Sequence, residues 1–300
     1  MRSFLSLNVE RTGLGMSVDS TKTCRPGHVT IGVNGEKREL AGRFISIVTG
    51  MPSKSTVQFV RSLHQKKYRQ QEGLFLVEGA KSVQEVLASS FRVDRLLATD
   101  VFIANNTALI DQQRCRVEPA TPDELMRIGT LESNNAALAV VQVRPNTPPT
   151  LVPNQWTLVL DDIRDPGNLG TILRIADWYG IDTILCSATT ADVYNPKVIS
   201  ASKGSFTRVQ WWYGDLEWVL KTANQPTFGA FLDGEDVHRI NFGRAGGLIV
   251  LGNEANGIGP AVAALVTQRV TIPRYGQAES LNVGIATAVI LDNLRRGQPT

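Results

Sequence analysis

Apolar positions fall into two series of short strand-like and longer helix-like segments, parted by a stretch rich in proline. In the first series, Val57, Phe59-Val60 and Leu63 recur at helical spacing and predict a helix from about Ser55 to Gln71. The run Leu74 to Val77 predicts a strand, Ala80 to Ala88 a helix, Val93 to Ala98 a strand, and Ala137 to Val143 a closing strand. This alternation describes a small α/β module over residues 51–143. Between Arg144 and Pro153 stand Pro145, Pro148, Pro149 and Pro153. Proline lacks an amide donor and fixes φ, so residues 144–155 read as an extended linker.

The second series, residues 156–300, is more uniformly apolar in its strands. Trp156 to Leu160, Thr183 to Cys186, Thr227 to Leu232, Gly247 to Leu251 and Arg269 to Ile272 are separated by helix-length segments. Continuous apolar runs of this length suit a parallel sheet covered on both faces by helices. In such sheets ligands sit beyond the carboxyl ends of the strands, so chemistry is expected in the loops after Leu160, Leu251 and Ile272.

Residues 1–50 lack this order. Only Val29 to Val33 and Phe44 to Val48 suggest short strands in a background of Gly, Ser, Thr and charge, and the stretch reads as a poorly ordered extension. Because the helical pattern starts shortly after Met51, translation is expected to begin there, which would make the extension non-native.

Composition narrows the classes. The 300 residues carry a formal net charge of only +3, so a nucleic-acid partner must be held by a local basic patch. Cys24, Cys115 and Cys186 have neither metal-site nor redox spacing, which fits a reducing cytoplasm. No apolar run is long enough to span a bilayer, and the start lacks a secretory signal, so a cytoplasmic protein without membrane contact is expected.

The three loops are chemically unusual. The first, Asp161 to Gly170, has a Pro166-Gly167 turn, with Asn168 expected to cap the helix that Gly180 ends. At about 100° per residue, Leu169, Ile172, Leu173, Ala176 and Tyr179 share one face and Arg174 lies opposite. The second, Gly252 to Pro260, concentrates Gly and Asn, which permit left-handed turns and close backbone approach. The third, Ile272 to Val283, ends in Ser280 and Asn282 at the entrance of a helix from Val283 to Arg295. Taken singly, these are a solvated arginine, an ordinary turn and a capping serine.

Together they resemble the motifs of the SPOUT class of methyltransferases, in its SpoU/TrmH branch of RNA ribose 2'-O-methyltransferases. The matching segments are Asn168-x-Gly170-x-x-x-Arg174, Leu251-Gly-Asn-Glu-Ala-Asn-Gly-Ile258, and Ile272-Pro273 with Ser280-Leu-Asn282. Residues 51–143 resemble the L30e-like substrate-binding domain that often precedes this catalytic domain, through Lys66-Lys-Tyr-Arg69 and Phe75-Leu-Val-Glu-Gly79. The resemblance implies a deep trefoil knot in the C-terminal parallel-sheet domain, a homodimer packed through the knot helices, and structured RNA as substrate, rRNA before tRNA. It also implies S-adenosylmethionine as cofactor, held at Leu251, Gly252, Ile272, Pro273 and Leu281. Arg174 matches the catalytic arginine, and Asn168, Glu254, Ser280 and Asn282 the other site residues. Lys66, Lys67, Tyr68 and Arg69, with Lys203 and Arg208 of the Ala201 to Arg208 segment, are the RNA-binding candidates.

These residue types suit the chemistry. A ribose hydroxyl is a poor nucleophile and must be held in line with the methyl group. A guanidinium is an implausible free base but suits gripping a phosphate and stabilising negative charge on the attacking oxygen. Other readings are weaker. Asp161-Asp-Ile-Arg-Asp165 resembles a magnesium-diphosphate motif but sits at a strand end rather than on a long helix, so no metal is expected. His28, His64 and His238 are isolated. A nucleotide-dependent oxidoreductase would need a glycine fingerprint the chain lacks. A non-catalytic RNA-binding or ribosome-assembly protein on the same fold is the alternative, and the full set of site residues speaks against it.

Overall fold

The computed structural model describes residues 28–33, 36–41 and 52–296. Strand β1 (His28–Val33) pairs antiparallel with β2 (Glu36–Ala41), so the strand expected at Val29 is present. The candidate strand at Phe44 and the proposed start at Met51 lie outside the described residues.

The next unit runs α1 (Lys54–Ser62), α2 (Lys66–Glu72), β3 (Leu74–Glu78), α3 (Ala80–Leu87), β4 (Val93–Ala98), α4 (Asp100–Asn105), α5 (Thr107–Gln113), β5 (Arg116–Pro119), α6 (Pro122–Ile128) and β6 (Ala137–Gln142). Its sheet has the order β3-β6-β4-β5, with β6 antiparallel to both neighbours and β5 parallel to β4. Alternation along β3 divides the core: Leu76 packs with Val60, Leu63 and Leu125 under α1 and α6, whereas Phe75 and Val77 pack with Val83 and Val86 of α3. The single helix expected through Gln71 is two. Arg69 folds back from α2, donating to the carbonyls of Leu63 at 3.1 Å and His64 at 2.8 Å, and so fixes the corner between α1 and α2. Gly73, at φ 64°, ends α2 in the left-handed conformation.

The second unit follows as β7 (Trp156–Leu160), α7 (Pro166–Trp178), β8 (Thr183–Cys186), α8 (Pro196–Ser202), β9 (Gln210–Tyr213), α9 (Leu216–Thr222), β10 (Thr227–Asp236), β11 (Gly247–Leu251), α10 (Pro260–Ala263), β12 (Gln268–Thr271) and α11 (Val283–Arg296). All its strand pairs are parallel, in the order β12-β10-β11-β7-β8-β9. The chain builds outward from β7 to β9, then crosses to the other side of β7. The crevice therefore opens where β7 and β11 lie side by side, with Leu160 opposite Leu251. Strand β9 has no counterpart among the expected strands, because Gln210-Trp-Trp-Tyr213 is an aromatic edge rather than an aliphatic run. Strand β10 outruns its expected end at Leu232: it pairs twice with β12, and the irregularity between Ala230 and Glu235 pushes Leu232 out to 81% exposure.

Residues 144–155 form neither helix nor strand, yet the two units do not hang loosely from them. Phe75 and Phe91 of the first unit interleave with Tyr194, Phe206 and Trp211 of the second. Phe75 lies 4.6 Å from Tyr194, and Phe91 lies 5.6 Å from Phe206, between ring centroids. The linker joins in, because the Arg144 guanidinium lies 3.5 Å from the Phe91 centroid and the Arg144 amide donates to the Tyr194 hydroxyl at 2.8 Å. Burial in this seam raises the Tyr194 phenol to about 12. One hydrophobic core crosses the boundary, with Phe206 fully enclosed.

Candidate active site

Helix α7 begins at Pro166 rather than after Asn168. The expected cap is corrected, since Asp165 holds that position and its carboxylate accepts the Asn168 amide at 2.9 Å. This hydrogen bond holds the Asp165 carboxyl below its ordinary range, with Lys197 adding to the effect from 3.2 Å. The change of cap has a chemical consequence: the Asn168 side chain is released to face the crevice. Leu169, Ile172, Leu173 and Ala176 are buried, and Arg174 stands exposed on the other side, as the helical spacing requires.

The second loop closes on itself through two backbone hydrogen bonds of 2.9 Å between Asn253 and Gly257. Gly257 sits at φ 69°, and a Cβ on Gly252 would lie 2.2 Å from the Gly257 carbonyl carbon, so glycine is required at both ends. The loop is pinned to the first one. Asp161 accepts the Gly259 amide at 2.7 Å, and Asn253 donates to the Asp162 carbonyl at 2.9 Å. The Asp162 carboxyl, held below the usual range mainly by a hydrogen bond from Arg164, takes that guanidinium at 2.9 Å. All three carboxylates of the Asp161-Asp162-Asp165 run thus have partners within the chain, and no group of ligands for a metal ion gathers among the described residues.

At the third loop, Asn282 caps α11, its side-chain oxygen accepting the amides of Gly284 at 2.9 Å and Ile285 at 3.3 Å. Ser280 is left to line the crevice. The Asn282 amide donates to the Asn168 side-chain oxygen at 2.9 Å, and the Asn168 amide donates in turn to the Glu254 carboxylate. One relay, Asn282 to Asn168 to Glu254, therefore ties together all three loops, although Asn168 and Asn282 are 114 positions apart.

Beside the relay lies a cavity of about 600 Å³, enclosed by the second and third loops and the outward bulge of β10. All five residues expected to hold a cofactor line it: Leu251, Gly252, Ile272, Pro273 and Leu281. Glu254 and Ser280 also line it, whereas Asn168 and Asn282 meet it through the relay and Arg174 is not among its lining residues. Phe231, Leu232 and Tyr275 also border the cavity; reading the β10 run as an ordinary strand hid its contribution. Apolar walls with a few polar groups, and a volume within the roughly 300–1,000 Å³ of small-molecule sites, fit a small ligand with both apolar and polar parts.

The RNA-binding candidates separate. Lys66, Lys67 and Lys203 are exposed and Tyr68 is half-buried. Arg69 is corrected: it is 3% exposed and donates to Asp192 at 2.6 Å, so its guanidinium holds the protein together and does not face a nucleic acid. Arg208, 46% exposed, has donors taken by Asp177 at 2.9 Å and by Glu85 at 2.5 Å across the boundary between units. Its guanidinium is pushed up from its ordinary value, mainly by the hydrogen bonds it donates to Asp177.

Comparison with known proteins agrees with this architecture. Residues 155–292 match the SpoU rRNA methylase family, and residues 54–139 match the MRM3-like substrate-binding domain. The chain belongs to the SpoU rRNA methylase family. It is 30% identical over 241 residues to the 23S rRNA (guanosine(2553)-2'-O)-methyltransferase RlmP of Bacillus subtilis, a match covering 78% of this chain and 94% of that protein. A TrmH-family RNA methyltransferase of Porphyromonas gingivalis superposes with a TM-score of 0.72 at 37% identity, over 82% of this chain and 99% of the other. The AdoMet-bound rRNA methyltransferase of Sinorhizobium meliloti gives 0.77 at 25% identity, over 85% and 98%.

Proposed function

We propose that this protein transfers a methyl group from S-adenosylmethionine to a ribose 2'-hydroxyl of ribosomal RNA. The observation that carries the reading is the relay from Asn282 through Asn168 to Glu254 at the edge of the cavity. The relatives named above, described as an rRNA 2'-O-methyltransferase and as an AdoMet-bound rRNA methyltransferase, support the choice of reaction and donor. S-adenosylmethionine supplies a sulfonium-bound methyl that an oxygen nucleophile can attack. Leu251, Gly252, Ile272, Pro273 and Leu281 would hold its adenosine portion, and Glu254 and Ser280 the polar side. Asn168, fixed between a carboxylate and an amide, orients the loops so that the acceptor oxygen meets the methyl in line. Arg174 grips the phosphate next to the acceptor ribose and stabilises charge on the attacking oxygen.

Arg174 stands apart from the cavity of its own chain, which favours a dimer. Helices α7 and α11 pack together, as the contact of Gly284 with Thr171 shows, and they leave Trp178 83% and Ile285 53% exposed. A second copy packed on this face would cover both side chains and bring Arg174 to a composite RNA site. Trp178→Glu is expected to give monomers in analytical ultracentrifugation. The return of α11 onto α7, after the third loop has crossed the crevice, supports a trefoil knot. Residues 51–143 serve as the RNA-binding domain and 156–300 as the catalytic one, joined by 144–155, in a cytoplasmic enzyme. No described helix is long and apolar enough to cross a membrane.

The reading is tested by mapping 2'-O-methylation in total RNA from a strain lacking the gene and from its parent. Loss of one ribosomal ribose methyl, restored by the wild-type gene, is the expected result. An unchanged map would overturn it.

A further inference from the structure

The buried ion pair between Arg69 and Asp192 joins the two units at a telling place. Asp192 lies in the loop that leaves the carboxyl end of β8. The preceding residues of that loop are fastened to the end of β7 and the first loop: Ala191 donates to the Ile163 carbonyl at 2.8 Å, and Thr190 accepts the Ile163 amide and donates to the Leu160 carbonyl at 3.1 Å. A short path of bonded contacts thus runs from α2 to the strand end beside the relay. Arg69 contributes two further bonds to the α1–α2 corner, so its one guanidinium sets both the start of α2 and its docking.

Helix α2 carries Lys66 and Lys67, both exposed; Lys67 lies roughly opposite Arg69 on the helix, and Lys66 stands one turn before Arg69 on the adjoining face. Across the boundary, the first loop and the start of α8 carry Arg164, 67% exposed and paired with Asp162, and Lys197, 64% exposed and paired with Asp165. The aromatic seam fixes the two units against each other through Phe206, and the Arg69–Asp192 pair governs the local placement of α2 on that frame.

We propose that Arg69 is a positioning residue: by pinning α2 to the Asp192 loop, it holds the lysines of the first unit at a set distance from the methyl-transfer site, so that the enzyme measures off which nucleotide of a bound RNA is reached. The proposal rests on the RNA methyltransferase reading. Lys66 and Lys67 take phosphates of RNA outside the crevice, and the pin converts that grip into register at the acceptor ribose. An RNA too short to reach α2 gains nothing from it.

The test uses the full chain and transcripts centred on the ribose mapped above, one long enough to reach α2 and one trimmed to its own stem-loop. Wild type is expected to show a KM about tenfold lower for the long transcript than for the short one. Arg69→Met and Asp192→Asn should each raise KM for the long transcript to the short-transcript value. The kcat and KM for the short transcript, and donor affinity by calorimetry, should stay unchanged. Lys66→Glu with Lys67→Glu should abolish the same length preference without lowering the melting temperature, and adding Arg69→Met should bring no further loss. Arg69→Lys should restore part of the preference. If Arg69→Met does not fold, Asp192→Asn decides, since it leaves the bonds from Arg69 to Leu63 and His64 in place. A length preference that survives Asp192→Asn or the double lysine change would overturn the proposal, as would a loss of kcat shared equally by both transcripts. A wild type that methylates neither transcript would instead refute the methyltransferase reading, while one that methylates both with equal KM would refute only the pin.

Discussion

The relay from Asn282 through Asn168 to Glu254 and the seam between the units both join segments far apart in the chain, but by opposite means. Asn168 is half-buried, Glu254 and Asn282 are exposed, and the three meet through polar side chains, each such hydrogen bond contributing about 0.5–1.5 kcal/mol net. Phe75, Phe91 and Phe206 are buried, and each such side chain contributes roughly 1.5–3 kcal/mol by leaving water. The difference teaches where rigidity and adaptability reside. The seam keeps its geometry from its own packing, whereas the three loops hold their polar groups ready for a ligand with little stability at stake.

The largest effect expected from this contrast is at the seam. Phe206→Ala should destabilise the protein by about 3–5 kcal/mol, read as a lower denaturation midpoint in urea, since it empties an enclosed site shared by both units. A loss below about 1 kcal/mol would mean that the units are stable separately and the seam is incidental.

Next comes Arg174→Ala. Transfer should fall about 10²–10³-fold, roughly 3–4 kcal/mol, with donor affinity and melting temperature unaltered, because the side chain is exposed and plays no part in packing. Equal activity would reduce Arg174 to a solvated surface residue.

Asn168→Ala should cost about tenfold in kcat and under about 1 kcal/mol in stability, a ratio opposite to that at Phe206. Combined with Glu254→Gln in a double-mutant cycle, its effect should be less than additive, because either change breaks the same link. Full additivity in kcat would show that the two side chains act separately.

The smallest effect is a pH dependence at the Asp165 cap. Its folded-state carboxyl lies below the ordinary value of 3.8, mainly through the Asn168 amide. The stabilisation is therefore complete above that value and is lost as pH falls through the depressed folded value. Hydrogen exchange of the first α7 amides should quicken in this acid range in wild type, and Asp165→Asn should remove that dependence. A pH response that persists in Asp165→Asn would assign it to another carboxylate.

Much of the site was legible along the chain because its chemistry is local. Gly252 and Gly257 are demanded by one tight loop, and the loops after Leu160 and Leu251 follow from apolar runs that end beside each other. Local patterns could not say which polar side chain caps and which is free. Asp165 and Asn168 are both good caps, and only the backbone bond between them decides the choice. The β10 bulge was hidden for a similar reason: Phe231 and Leu232 continue an apolar run, while the pairing with β12 that expels Leu232 involves residues some forty positions away.

The amino-acid order by itself determined the two α/β units, the buried faces of their helices and the three loops with their chemical groups, since these depend on periodicity and turn chemistry within a few residues. Tertiary structure alone decided the fates of the arginines. Arg69, Arg174 and Arg208 all carry the same charge, but one is buried on Asp192, one is exposed, and one is shared between Asp177 and Glu85. A guanidinium reaches whatever carboxylate the folded backbone brings near, and that proximity is written in the packing of distant elements and not in the residues beside it.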